Sequence, residues 1–325
     1  MKRFLHHLTL LFLLTTFLSS CQQNATDTKT TAGDTSGEIQ ALALDGTKLY
    51  PPKDSPAEKS KKDSLLQIAK ANYESNPNSL HNIVWYGRRT AYLAKYKEAI
   101  EIYTKGLEKF PNSPELYRHR GHRYISIRQF DNAIADFEKA GALSADRAVI
   151  SEADGIPNKL NKPLSNLQFN IWYHWALAYY LKGDFDKAIE LYNACMQYSN
   201  NPDLLCATSD WLYMAYMRAG DTNYAAFVLE NITPDMEIIE NTAYHNRLLF
   251  YKGLKEATDL LDLENADPDD QIQIVTQGYG VGNWYLYNNR PDKAREIFEK
   301  VLASDYWPAF GYIAAEADLY RMDNQ

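Results

Sequence analysis

Residues Tyr117–Ala140 read YRHRGHRYISIRQFDNAIADFEKA, and they carry the pattern from which the architecture of the chain is predicted. Its glycine, Gly121, lies 34 residues after Gly87, and its alanine, Ala133, lies 34 residues after Ala99. No gap is needed to align the two copies. A fixed period in this range is typical of stacked helical hairpins, each of which is too small to bury its apolar face alone.

Seven positions of the period alternate large, small and aromatic side chains. They are Tyr117, Gly121, Tyr124, Phe130, Ala133, Phe137 and Ala140 in the second copy, and Trp172, Ala176, Tyr179, Phe185, Ala188, Tyr192 and Cys195 in the third. This pattern resembles the tetratricopeptide repeat (TPR) over about residues 63–321. Small residues at the eighth and twentieth positions let the two helices of a hairpin approach closely, and the large residues fill the space around the crossing.

The resemblance implies an all-α fold, a right-handed α-solenoid of about six TPR-type hairpins. It also predicts a leading helix near residues 63–74 and a capping C-terminal helix near residues 308–321, within a repeat domain spanning 63–325. The fifth copy is degenerate, because Ala257 arrives early and displaces its second helix.

An insertion interrupts the period. Ala133 and Ala188 are 55 residues apart, one period plus 21, so we expect an insertion at about residues 141–166. Loops of this length inside a compact array are usually functional or disordered. The position favours a lid or specificity loop beside Arg118, His119 and His174, and the alternative is a structural brace.

The N-terminus resembles a bacterial lipoprotein signal. Lys2 and Arg3 precede an apolar run, Leu5–Leu18, that is too short for a comfortable membrane span and fits a signal peptide. The run ends in LSSC at Cys21, which is similar to a lipobox. The resemblance implies that residues 1–20 are removed and that Cys21 is acylated. The alternative is an ordinary secretory signal followed by a coincidental cysteine.

The expected location follows from the same motif. A lipobox implies a lipid-anchored protein of the bacterial cell envelope, and Gln22 after the cysteine favours the outer membrane. Residues 21–62 are then the lipidated cysteine and a flexible tether, since residues 22–40 are rich in Thr, Ser, Gly and Asp. Within it, residues 41–52 carry several leucines, and we expect an extended segment along the first helices or, alternatively, a self-peptide in a groove.

Charge and cysteine content exclude some classes of protein. The net charge of −8 argues against a nucleic-acid partner, which usually requires a basic surplus. Three cysteines exclude a small disulfide scaffold. Cys195 and Cys206 are expected to be buried free thiols, although an exported protein permits a disulfide.

In the TPR family, the first helix of each hairpin lines the concave surface. Carried over one repeat at a time, the predicted ligand groove comprises Trp85, Arg88, Arg118, His119, His122, Tyr173, His174, Asp210, Trp211, His245, Asn246, Tyr279 and Asn283. All five histidines outside the signal peptide fall on such positions. Arginine and aromatic side chains anchor interfaces, and guanidinium groups match carboxylates, so we expect a protein or peptide ligand of anionic character. The alternative is a solvated polar face without a ligand.

Two other classes of function remain open. His119, His122 and His174, with Asp210 near His174, could form a small-molecule or metal-dependent enzyme site, but nearby arginines would repel a cation and no hydrolase motif is present. We therefore predict no catalytic residue, no metal and no cofactor. A structural assembly factor that uses its outer face is the third option. The motifs around Trp85, Arg118 and His174 look like those of a group of bacterial TPR lipoproteins, which implies no particular activity.

Overall fold

The computed structural model describes residues 37–261 and 271–324. Within these ranges the chain forms one two-stranded hairpin and a series of α-helices. Residues 1–20, Cys21 and the start of the predicted tether lie outside the described residues. The bounds are β1 (Ala41–Leu42), β2 (Lys48–Leu49), α1 (Pro56–Ser75), α2 (Leu80–Tyr92), α3 (Tyr96–Lys109), α4 (Pro114–Ser126), α5 (Phe130–Ser144), α6 (Leu167–Lys182), α7 (Phe185–Cys195), α8 (Pro202–Ala219), α9 (Thr222–Val228), α10 (Thr242–Tyr251), α11 (Ala257–Leu260), α12 (Gln271–Tyr287), α13 (Pro291–Leu302) and α14 (Phe310–Asp323).

The helices pack as hairpins in chain order, from α2 with α3 to α12 with α13. This confirms the predicted all-α solenoid. Local sequence signals set the helix ends. Ser113 caps α4 by accepting a hydrogen bond from the Leu116 amide, with proline as the next residue. Gly183 ends α6 in the left-handed conformation, with φ of 85°.

One contact recurs inside the hairpins and explains the small residue at the eighth position. A Cβ on Gly121 would lie 3.0 Å from the Phe137 ring, sixteen residues later in the sequence. A Cβ on Gly87 would overlap the ring of Tyr103, which has the same spacing. The two helices of each hairpin therefore approach as closely as the sequence pattern predicted.

The segment before the solenoid differs from the prediction. Helix α1 begins at Pro56, not near residue 63, because Ser55 and Glu58 form a reciprocal capping box. Strands β1 and β2 form an antiparallel hairpin in which Leu49 is fully buried. The contacts of this hairpin are not limited to the first helices of the chain. The Leu44 amide, in the turn between the strands, donates to Glu316 Oε1 in α14 at 2.9 Å.

The predicted C-terminal capping helix is present as α14, and its contacts extend beyond the last repeat. Helix α14 packs on α12 and α13 as a cap would, but it also contacts α6. Every residue from Gly311 to Leu319 is buried, so no face of this stretch is left to solvent. Because α14 lies against first helices of several hairpins, it fills part of the concave surface instead of covering only the last repeat.

Two buried ion pairs hold α14 in this position. Glu316 accepts from the guanidinium of Arg128, whose Nη2 lies 2.6 Å from Oε2. Asp318 accepts from Arg218 Nη1 at 2.8 Å and from Arg321 Nη2 at 2.6 Å. Arg218 and Arg321 keep the pKa of the Asp318 carboxyl below its ordinary value even though burial alone would raise it.

Within the described ranges, no helix combines the length and the apolar character that a membrane span requires. Cys195 and Cys206 are buried and free, as expected. Burial raises the pKa of each thiol to about 12, so neither is a reactive thiolate.

Candidate functional site

The insertion reaches back over the first helices of the solenoid. Helix α5 continues to Ser144, so the connecting segment runs over residues 145–166, a little shorter than predicted, and we call it the insertion segment. Its Glu152 carboxylate lies 3.1 Å from Arg118 Nη2 and 3.6 Å from His119 Nε2. Asn170 on α6 donates to the other carboxylate oxygen at 3.2 Å. The insertion segment therefore lies beside Arg118 and His119, two of the three residues in the prediction, whereas the third, His174, packs against Phe310.

Two further arginines hold the backbone of the insertion segment. Arg88 Nη1 donates to the Ala153 carbonyl at 2.9 Å, and Arg89 Nη1 donates to the Gly155 carbonyl at 3.0 Å. Both guanidinium groups also lie over the Trp85 ring, at 4.4 and 4.8 Å from its centroid. We call Trp85, Arg88, Arg89, Arg118 and His119 the basic site.

The protonation state of His119 follows from its neighbours. Arg118 Nη1 lies 2.9 Å from His119 Nδ1, and a guanidinium can only donate, so Nδ1 accepts and Nε2 carries the proton towards Glu152. Burial, followed by the charges of Arg118, Arg88 and Arg123, lowers the pKa of His119 well below its ordinary value. A neutral imidazole and the Arg118 guanidinium thus face one carboxylate.

His122 and His174 meet at a second place, beneath α14. Their ring centroids are 4.5 Å apart, and the Phe310 ring of α14 lies 5.2 Å from His122 and 5.4 Å from His174. Burial is the main cause that lowers the pKa of both imidazoles well below the ordinary value, and Arg118 and Arg123 lower it further. These two predicted groove residues therefore pack against the chain's own C-terminal helix.

This arrangement does not favour the metal or acid–base alternative. Within residues 37–261 and 271–324, no group of three or more His, Cys, Asp or Glu side chains could hold a metal ion. His174 Nδ1 lies 2.5 Å from the Asn170 carbonyl oxygen, so this ring nitrogen is already engaged in a hydrogen bond. The pairing of Asp210 with His174 is wrong, because the Asp210 carboxylate forms a buried ion pair with Arg247.

The remaining predicted groove residues are distributed along the interior. Trp211 and Tyr279 stack with centroids 5.6 Å apart, and both are fully buried. Asn283 is buried and accepts from Arg218 at 3.0 Å. Tyr173 lies 3.3 Å, hydroxyl to hydroxyl, from Tyr244, while Asn246 is half-buried.

The five histidines do not form one cluster. His245 lies 2.8 Å, Nε2 to carbonyl oxygen, from Thr233, and His81 is exposed. Only His119, His122 and His174 belong to one neighbourhood of first helices. Shared repeat positions therefore indicate a common direction of the side chains but not proximity along the solenoid.

Sequence reasoning missed the partners that fill the concave surface. Arg128, Arg247 and Glu316 are all buried in ion pairs, yet none stands on a family groove position. The acidic residues of α14 carry a usable signal. Glu316 and Asp318 interrupt the otherwise apolar run of residues 312–319, and a charge in an apolar helix normally needs a buried partner.

Comparisons with known proteins agree with the fold. The family model of the tetratricopeptide repeat matches residues 169–202, which run from α6 through α7 to the start of α8. The BBSome complex member BBS4 of Bos taurus is 27% identical over 139 residues, which are 43% of this chain and 22% of that protein. The chain thus spans about a fifth of the length of the curated relative it matches.

Two solved structures illustrate the likeness. A tetratricopeptide repeat protein from Parabacteroides merdae is 12% identical, with a TM-score of 0.45, and the similarity covers 79% of this chain and 94% of that one. The protein YrrB, described as a TPR protein with an unusual peptide-binding site, is 14% identical with a TM-score of 0.40. Here the similarity covers 79% of this chain and 99% of the other.

The similarity to the family rests on the repeat itself. One full period is matched by the family model, and the hairpins before it show the glycine-to-ring contact that the period requires. The chain therefore contains a tetratricopeptide repeat at residues 169–202, within a series of stacked helical hairpins.

Proposed function

We propose that this chain is a lipid-anchored binding protein of a bacterial cell envelope, attached through Cys21, with the outer membrane as the favoured location. The TPR fold supports a protein-interaction scaffold. We place its binding surface at the basic site and propose a protein or peptide partner that offers an acidic, extended segment. No nucleic acid or cofactor is part of the proposal.

One observation carries the proposal. The basic site already holds a glutamate carboxylate and two backbone carbonyls of an extended segment, by Arg118, Arg88 and Arg89. Guanidinium groups that bind a carboxylate and neighbouring carbonyls together recognise a peptide and not merely an anion. Trp85 supplies the flat aromatic surface that interface anchors often use.

The binding surface is narrower than the groove predicted from the sequence. Helix α14 contacts His122, His174 and Tyr279, and its Asp318 shares Arg218 with Asn283. Those residues support the fold in this arrangement. The proposed surface is therefore the part of the first helices that the insertion segment covers.

Site-specific cross-linking tests the binding function. A photo-reactive phenylalanine analogue at Trp85, in cells of a bacterial host that encodes the chain, should give a cross-linked partner. The yield should fall when Arg88→Gln and Arg118→Gln are added. The analogue at Tyr224, an exposed residue of α9 away from the basic site, is the control. A product whose yield does not respond to either arginine change would refute the proposed surface.

Metabolic labelling tests the anchor independently. An alkyne fatty acid fed to the cells should label the wild-type chain, and Cys21→Ser should abolish the label. Cys195→Ala and Cys206→Ala are matched controls, because both thiols are buried. Label retained in the Cys21→Ser chain would overturn the anchoring proposal.

A further inference from the structure

We propose that the insertion segment is an intramolecular ligand of the basic site, and that the partner is an acidic segment that displaces it. This inference rests on the proposed function, since it assigns the kind of ligand and the regulation of the same site. Residues 151–155, SEADG, lie across the basic site as a bound peptide would.

The contacts have the character of peptide recognition. Glu152 is held through its side chain by Arg118 and Asn170, whereas Ala153 and Gly155 are held through their carbonyls. Backbone contacts do not depend on side-chain identity, so the same donors can hold another chain. The specific requirement at this end of the site is the carboxylate.

A second requirement comes from Tyr92. A Cβ built on Gly155 would overlap the Tyr92 hydroxyl, so the chain passes too close to this ring for a side chain. Gly155 follows Glu152 by three residues. The site therefore favours a glutamate followed three positions later by glycine, in an extended conformation.

Few apolar contacts of the insertion segment oppose its release from the site. Outside the contacts already described it has little regular structure, apart from an isolated bridge between Ser151 and Asn166. Several large apolar side chains of the segment are exposed instead of packed: Val149, Ile150, Ile156 and Leu160. Few buried apolar contacts mean a low cost of local opening.

A segment of the same chain that occupies the site lowers the apparent affinity of the site for every external ligand. A tethered segment acts at an effective concentration in the millimolar range, and the apparent dissociation constant is the intrinsic one divided by the fraction of open sites. Removing the charge of Glu152 should weaken this occupancy by about tenfold to a hundredfold, the usual worth of a hydrogen bond to a charged group. The site would then be open to an added peptide.

The test measures binding of the chain's own peptide to the full chain in detergent. The probe is a fluorescein-labelled peptide with the sequence of residues 147–160, RAVISEADGIPNKL. Fluorescence anisotropy compares the wild type with Glu152→Gln, which keeps the size of the side chain. Gly155→Val is the second opening variant, because it pushes the segment away from Tyr92 without altering an arginine. Asp146→Asn, an exposed change in the same segment, is the control.

We expect both opening variants to bind the peptide at least about tenfold more tightly than the wild type and the control. Probe peptides with Gln at the glutamate or Val at the glycine should bind at least about tenfold more weakly to the opened chain. Equal affinity of the wild type and both opening variants would overturn the self-ligand. Circular dichroism shows whether each variant remains helical, and either opening variant alone suffices for the comparison.

Two outcomes separate this inference from the proposed function. If Arg118→Gln abolishes binding but wild type and opened variants bind equally, the basic site stands and the self-ligand is refuted. If Arg118→Gln does not change binding, or if no variant binds, both are refuted. Hydrogen exchange adds an independent check, because bound peptide should speed exchange of the Glu152 amide, which donates to the Ser165 carbonyl at 3.0 Å.

Discussion

Mild acid should destabilise the fold through three neutral histidines. The pKa values of His119, His122 and His174 are all lowered well below the ordinary value of 6.5, with burial as the largest cause. The folded chain therefore stays unprotonated at these rings at a pH where the unfolded chain binds protons. The contribution of these neutral rings to the free energy of unfolding is complete at a pH above the histidine pKa of the unfolded chain. It is lost as the pH falls below that pKa.

The magnitude follows from proton linkage. Between about pH 7.5 and about pH 5.5, an unfolded histidine of ordinary pKa becomes mostly protonated, which costs the folded state about 1.4 kcal/mol. The three histidines together should lower the free energy of unfolding by up to about 4 kcal/mol over this interval. That is a large part of the stability of an ordinary domain.

The assay is urea unfolding followed by circular dichroism at both pH values. His122→Phe is the informative variant, because its ring contacts are with His174 and Phe310 and an aromatic ring can replace them. It should remove about a third of the pH dependence, one histidine of three. His81→Gln, which removes an exposed ring, serves as the control and should behave like the wild type.

A wild-type free energy of unfolding that changes by less than about 1 kcal/mol over the interval would contradict proton exclusion from these histidines, since linkage for even one excluded proton exceeds that. A His122→Phe chain with undiminished pH dependence would show that His122 is not one of the responsible groups.

Other changes test the packing of the solenoid. Glu316→Gln leaves Arg128 buried without its charge partner and should lower the free energy of unfolding by about 3–5 kcal/mol in urea unfolding. The control is Glu296→Gln, which removes two exposed ion pairs on α13 and should leave the midpoint unchanged. Gly87→Ala forces a Cβ into the Tyr103 ring and should cost about 1–3 kcal/mol in the same assay. A Cβ on Gly46 would meet no atom, but Gly46 has a positive φ. Any loss of stability in Gly46→Ala therefore reports the backbone cost alone, without overlap with a ring. Asp210→Asn leaves the buried Arg247 without its charge partner, so this variant should unfold at a clearly lower urea concentration. An unchanged unfolding midpoint would contradict the buried ion pair.

Much of the fold was predictable from the sequence because the repeat depends on local contacts. Gly121 and Phe137 belong to one hairpin, so their contact depends only on helix geometry and a short turn. The insertion between Ala133 and Ala188 was equally predictable, because the distance between these two alanines exceeds the repeat period. The start of α1 was missed, although Ser55 and Glu58 have the spacing of a capping box.

The candidate site was predictable only in part. Arg118, His119 and the insertion do meet, because the insertion leaves the hairpin to which Arg118 and His119 belong. The pairing of Asp210 was wrong, since Arg247 lies two helices further along the chain and no spacing rule connects them. Repeat positions fix the direction in which a side chain points, but they do not identify its partner.

The repeat, its small and large packing positions, and the place of the insertion can be read from the residues alone, because each depends on contacts within one or two hairpins. The occupant of the concave surface is set by long-range contacts of the folded chain. Helix α14 lies there because Glu316 and Asp318 find Arg128 and Arg218, 188 and 100 residues earlier in the chain. A buried carboxylate is stable only beside a cation, and which cation is near is a property of the folded chain, not of any local period.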